Sequence, residues 1–239
     1  MIQAVFFDFN GVIVDDEPLH MKAYMEALRA EGVELSEQGY LASLGMDDES
    51  FVRAAFERAG REDLTEEVLR RVLEREAAKH QELLGDDPPL FPGVVTFVKA
   101  LARLHPLGVV SMSGRAQVER TLGLARLGDY FTVRVTAEDV TAHKPDPSCY
   151  VRALERLNEK RTGEAHILPL RADECLVIED SPPGIRAGRA AGMRTLGVTN
   201  TVPERALREA GADVVTRSLA DWTPDALHHV FDTNWGKNK

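Results

Sequence analysis

The chain comprises 239 residues of 26.4 kDa, 44% hydrophobic and 28% charged. That suits one α/β domain, or one domain carrying a smaller insertion, with a core that needs no disulfide staple. Its net charge of −10 is concentrated in residues 15–89, where 9 Lys/Arg face 20 Asp/Glu, which argues against nucleic acid and anionic membrane as partners.

Ile2–Asn10 reads as a buried strand ending in polar residues, and Asp8 interrupts its apolar run, so neither a spanning helix nor a secretory signal is predicted. Gly11 breaks the strand, and Val12–Val14 leads to an acidic turn at Asp15-Asp16-Glu17. Asp15 and Asp16 read as a solvated hinge and helix N-terminus. Residues 18–89 then read as helix throughout. Leu19, Tyr24, Met25 and Leu28 share a face that ends at Gly32. Ser36 can cap a short helix, and another runs from Glu49 to Ala59. Thr65 can cap a long helix through Leu84, stopped by Gly85 and Pro88-Pro89.

From Phe91 helices and strands alternate. Helices are predicted at 93–104, 116–124, 148–157, 185–191 and 204–210, and strands at 107–111, 132–136, 175–179, 195–198 and 213–215. Residues 158–172 read as an extended loop and Trp235–Lys239 as a loose tail. The alternation calls for a parallel sheet covered on both faces, and the N-terminal strand must join it to bury its apolar residues. The expected fold is α/β: a Rossmann-like three-layer core at 1–14 and 90–239, with an all-helical domain inserted at 15–89. Cys149 and Cys175 have no metal-type spacing, so a soluble, cytoplasmic protein is the expectation. No helix carries a sustained heptad; the oligomeric state stays open, with a monomer the simpler expectation.

In open parallel sheets ligands bind beyond the carboxyl ends of the strands. This chain places there Asp8 and Asn10, then Ser111 with Ser113, then Lys144, then Glu179-Asp180-Ser181. Carboxylates and a lysine after different strands, beside hydroxyls and glycines, suit a divalent ion and a phosphoryl group.

These residues resemble the haloacid dehalogenase-like phosphohydrolases, near the β-phosphoglucomutase-like branch with a helical C1-type cap. Asp8-Phe-Asn-Gly-Val-Ile-Val-Asp-Asp-Glu-Pro-Leu-His20 is similar to the family's first motif and Val110-Ser-Met-Ser113 to its second. His143-Lys-Pro-Asp-Pro147 is similar to the third and Val177-Ile-Glu-Asp-Ser-Pro-Pro-Gly-Ile185 to the fourth. The resemblance implies a Mg²⁺-dependent phosphatase of a small phosphorylated metabolite. Asp8 would be the nucleophile that forms an aspartyl phosphate. Asp8, Asp180 and the Asn10 carbonyl would ligate Mg²⁺, and Glu179 would hold a metal-bound water. Ser111 would bind a phosphoryl oxygen, and Lys144 would balance the charge of phosphate and nucleophile.

Position 10 departs from the pattern, because most family phosphatases and mutases carry an acid–base aspartate there. Asn10 donates N–H hydrogen bonds but exchanges no proton at neutral pH. Three readings follow: a substrate with a good leaving group; a substitute among Asp15, Asp16, His20 and His143, of which His20 matches a histidine of the mutase branch; or a chain weakened in catalysis, by nature or by replacement of an aspartate. The cap stretch Leu44–Glu49 is acidic and lacks the arginine with which the branch's mutases grip a second phosphate, and Arg53 reads as solvated. Hydrolysis is therefore expected, possible slowness at Asn10 included, with a phosphomutase and a weakened phosphate-ligand binder as the alternatives.

Overall fold

The computed structural model describes residues 1–43, 46–161 and 168–233. It divides into two units, Met1–Asp15 with Leu90–Lys239, and Asp16–Pro89.

The first unit is an α/β fold on a six-stranded sheet of order β3-β2-β1-β4-β5-β6, parallel throughout. Its strands are β1 (Ala4–Phe7), β2 (Leu107–Val110), β3 (Phe131–Val135), β4 (Cys175–Glu179), β5 (Arg194–Val198) and β6 (Val214–Thr216). Every residue of β1, β2, β4 and β5 is buried, as helices on both faces require. Side chains alternate across the sheet. Phe7 meets Phe131 and, at 6.3 Å, Phe97 of the helix Val94–Leu101. Phe6 joins the opposite cluster with Val133, Tyr150 and Ala153.

Strand order reverses at β1, which lies between β2 and β4, and the crevice beyond it is where such sheets bind ligands. Phe7 pairs with both Val109 and Ile178, so Asp8, Val110-Ser111 and Glu179-Asp180 emerge side by side.

The helix after β3 runs Ser148–Arg161, four residues beyond its expected end at 157, which corrects the loop predicted from 158. Its polar last two turns are held by tertiary bonds. Arg156 reaches the Arg134 carbonyl at 2.8 Å, and the Asn158 amide bonds both N and O of Leu170. Residues 162–167 of that predicted loop, and the tail Trp235–Lys239, lie outside the described residues. A final helix, Pro224–Thr233, was not among the predicted elements; Trp222 packs on its Phe231 at 6.3 Å.

The second unit contains helices Glu17–Arg29, Glu37–Leu41, Asp48–Arg58 and Glu66–Leu84. Ser36, Asp47 and Thr65 cap the last three by accepting from the N–H of Gly39, Ser50 and Val68. The buried face of Glu17–Arg29 is Ala23, Tyr24, Ala27 and Leu28, whereas Leu19 and Met25, expected on it, are only half-buried. The two alanines let this helix pack closely along Glu66–Leu84. Tyr24, Phe51, Phe56 and Val72 fill the core. No helix among the described residues is long and apolar enough to cross a membrane.

Candidate active site

The end of β1 delivers Asp8, whose N–H donates to the Ile178 carbonyl at 2.9 Å and so continues the ladder to β4. Glu179 and Asp180 follow on β4 and are buried, at 0% and 5% exposure. Ligand oxygens of Asp8, Glu179 and Asp180 lie within 4.8 Å of one another. Lys144, from the loop after β3, reaches into this cluster. Its Nζ donates to Asp8 Oδ1 at 2.8 Å and to Glu179 Oε1 at 2.6 Å.

Three carboxylates around one buried ammonium leave a surplus of negative charge. Burial, and then the Glu179 charge, push the Asp8 carboxyl up to about 7. Burial, with Glu179 and Asp8 adding to it, likewise drives Asp180 well above the usual carboxylate range. Burial works against the Lys144 ammonium, but the Asp8 and Glu179 carboxylates outweigh it and hold its pKa above the ordinary lysine value. Hard oxygen donors with uncompensated negative charge fit Mg²⁺.

The two acids of β4 are not equivalent. Glu179 Oε1 accepts from Lys144 and from the Tyr150 hydroxyl at 2.9 Å. Its Oε2 accepts from the N–H groups of Asp180 and Ser181 and from the Ser181 hydroxyl. It therefore holds the lysine and the turn into the helix Pro182–Ala190, where a Cβ on Gly184 would collide with it. Asp180 Oδ2 accepts from the Thr201 hydroxyl. It also packs against Gly11, where φ is +74° and an added Cβ would fall 1.9 Å from that oxygen.

Asn10 Oδ1 accepts from the Ser113 hydroxyl at 2.7 Å and from the Ser111 hydroxyl at 3.4 Å. The Ser111 oxygen in turn accepts from the Ser113 N–H at 3.0 Å. The amide at position 10 is thus tied to the strand-end loop of β2.

Asp8, Asn10, Ser111, Lys144, Glu179 and Asp180 all belong to the first unit: Lys144 bonds Asp8 and Glu179, Glu179 accepts from the Asp180 N–H, and Asn10 accepts from the Ser111 and Ser113 hydroxyls. His20 belongs to the second. There its Nδ1 lies 2.8 Å from Glu76 Oε1 and its Nε2 3.5 Å from Asp16 Oδ2. Burial disfavours its charged form, but the neighbouring Asp16 and Glu76 carboxylates outweigh this and hold its pKa well above the ordinary value. Asp16 is 1% exposed, which corrects its reading as a solvated helix end; Asp15 and His143 are exposed. Arg53 is spent on an exposed ion pair with Glu66 at 2.8 Å.

Sequence reasoning missed Tyr150, Asn200 and Thr201. The last two follow β5 as Asp180 follows β4, so strand-end polarity was an available signal; Asn200 Nδ2 donates to the Gly11 carbonyl at 2.7 Å. Tyr150 had no such signal, because it reads as an apolar residue of a helix face.

The sequence model described as haloacid dehalogenase-like hydrolase matches residues 2–192. A phosphorylated carbohydrates phosphatase of Thermotoga maritima is 32% identical over 213 residues, 88% of this chain and 92% of that protein. Fructose-1-phosphate phosphatase YqaB of Escherichia coli is 32% identical over 194 residues, 81% and 95% of the two chains. The crystal structure of β-phosphoglucomutase from Clostridium difficile has the same fold, with a TM-score of 0.81 at 20% identity, covering 97% of this chain and 98% of that one.

Proposed function

The chain belongs to the haloacid dehalogenase-like hydrolases, and from that membership we propose that it is a Mg²⁺-dependent phosphatase of a small phosphorylated carbohydrate. The observation that carries the reading is the buried Lys144 ammonium bridging Asp8 and Glu179 at 2.8 and 2.6 Å. A carboxylate attacks a phosphate dianion only where cations offset the repulsion, and Lys144 is a fixed cation on the attacking oxygen.

Asp8 bonds to phosphorus while the bond from phosphorus to the sugar oxygen breaks, and that oxygen leaves as an alkoxide that takes its proton from solvent water. Water then attacks the aspartyl phosphate, releasing inorganic phosphate and restoring the carboxylate. The Ser111 hydroxyl and the Lys144 ammonium hold phosphoryl oxygens during both transfers. Asp8, Asp180 and the Asn10 carbonyl would hold Mg²⁺, with Glu179 on a metal-bound water, and the ion would supply further charge neutralisation. Asn10 supplies no proton to the departing oxygen, so turnover is limited by leaving-group basicity.

The test is phosphate release from phosphates graded by leaving-group acidity, with this chain, Asp8→Asn and Asn10→Asp. The unchanged chain should be fastest on acyl and aryl phosphates and slow on alkyl ones, and Asp8→Asn should be inert. Asn10→Asp should gain about 10²–10⁴-fold on the alkyl phosphates. Undiminished turnover in Asp8→Asn would sink the mechanism. An isomerised product with dependence on a bisphosphate would make the chain a mutase, and tight phosphate-ester binding without turnover in any variant would make it a binder.

A further inference from the structure

Helices Glu17–Arg29 and Glu66–Leu84 of the second unit face each other with matched pairs at i,i+4 spacing. Asp16, the N-cap, precedes His20 by four residues, and Glu76 precedes His80 by four. That spacing puts each carboxylate and its histidine on one helix face. Asp16 and His80 are each 1% exposed, Glu76 is 6%, and the His20 side chain is the most open at 17%.

Ligand atoms of Asp16, His20 and His80 all lie within 4.8 Å of one another. His20 Nε2 and His80 Nε2 are 3.5 and 3.2 Å from the same oxygen, Asp16 Oδ2. A charge-assisted N–H···O bond is shorter, about 2.7–2.9 Å. Ligands at roughly 2.0–2.1 Å from a tetrahedral zinc ion stand about 3.3 Å apart, which is the spacing found here. Behind this set, Glu76 Oε1 accepts from His20 Nδ1 at 2.8 Å, the arrangement that orients a metal-binding imidazole with Nε2 forward. The rings of His20 and His80 stack, with centroids 3.9 Å apart and planes at 15°. Asp16 and Glu76 bring two carboxylates to this buried ring pair, a charge that a divalent ion would balance.

We propose that Asp16, His20 and His80 form a binding site for a divalent transition metal of the zinc type, distinct from the carboxylate cluster around Asp8. Two nitrogens and one carboxylate select such an ion over Mg²⁺, which takes oxygen donors. The bound ion clamps the start of one helix to the last turns of the other.

The full chain, stripped of metal, is titrated with Zn²⁺ in excess Mg²⁺, alongside Asp180→Asn, His80→Gln and Glu76→Gln. The expected result is one tight Zn²⁺ per chain, retained in Asp180→Asn. His80→Gln should lose at least about 100-fold in affinity and Glu76→Gln about 10- to 100-fold. Circular dichroism checks that each variant folds. A variant-free measurement uses Co²⁺ on the unmodified protein: a nitrogen-ligated visible spectrum should be bleached by Zn²⁺ and untouched by Mg²⁺. Zn²⁺ affinity unchanged by His80→Gln, or a Co²⁺ spectrum that Mg²⁺ bleaches, overturns the site and leaves a protonated His20 between two carboxylates.

Discussion

Asp180 is shaped by two residues that share no motif with it. Gly11 leaves room for its Oδ2, and Thr201 donates a hydroxyl to that same oxygen. Gly11→Ala would place a methyl group on the carboxylate and strain a backbone at φ +74°, so both thermal stability and Mg²⁺ activation should fall together. Thr201→Val separates the effects, since it keeps the shape and removes only the donor. Its Mg²⁺ requirement for half-maximal rate should rise about 10- to 100-fold, the usual effect of losing a partner behind a metal ligand. An unchanged requirement in a Mg²⁺ titration would show that Thr201 does not orient Asp180. Asp8, Lys144, Glu179 and Asp180 were legible as polar residues following strands in the right order. Thr201 obeys the same rule one strand further along, whereas the Tyr150 hydroxyl on Glu179 is a meeting of side chains 29 positions apart that no local pattern encodes.

The helix Ser148–Arg161 and strand β3 are joined through one carboxylate. Asp139 accepts from Arg115 at 2.7 Å, from Arg156 at 2.6 Å, and from the Thr136 N–H at 2.9 Å. The hydrogen bond from Arg156, more than any other influence, holds the Asp139 carboxyl well below the usual carboxylate range. Its folded pKa is below its unfolded one, so its contribution to stability is complete above the unfolded value of about 3.9 and is lost as pH falls through the folded value. Asp139→Asn should therefore lower Tm at pH 7, by about 2 kcal/mol or roughly 4–8 °C for a chain of this size. The deficit should narrow in strongly acidic buffer, as melting curves across pH would record. A deficit constant with pH would mean that the carboxylate's charge is not what joins these elements. The same ties explain why the helix outruns its sequence signal. Asn158–Arg161 is polar, so it offers no apolar periodicity, and its last turn is held by Leu170, with Arg156 one turn earlier on the Arg134 carbonyl.

At the scale of the whole molecule the charge is unevenly distributed, with 9 basic and 20 acidic residues at 15–89 and near balance elsewhere. Such a chain should pass through a heparin column unretained at physiological ionic strength, and retention that weakens steeply with salt would contradict this. The sequence by itself determined the parallel α/β core, the interruption after the first strand, and two helix caps at Ser36 and Thr65; the Asp47 cap, which starts its helix at Asp48 where Glu49 was predicted, went unread. Each of these follows from interactions within a few residues: side-chain period, cap chemistry and the need of a two-faced strand for cover. Only the tertiary structure decided that Asp16 is buried against His80, that Tyr150 holds Glu179, and that Asn10 accepts the Ser113 hydroxyl. Those meetings depend on strand order and helix packing, which bring together side chains separated by dozens of positions; a linear pattern carries the preference of each residue for burial or a turn, and not the identity of its distant partner.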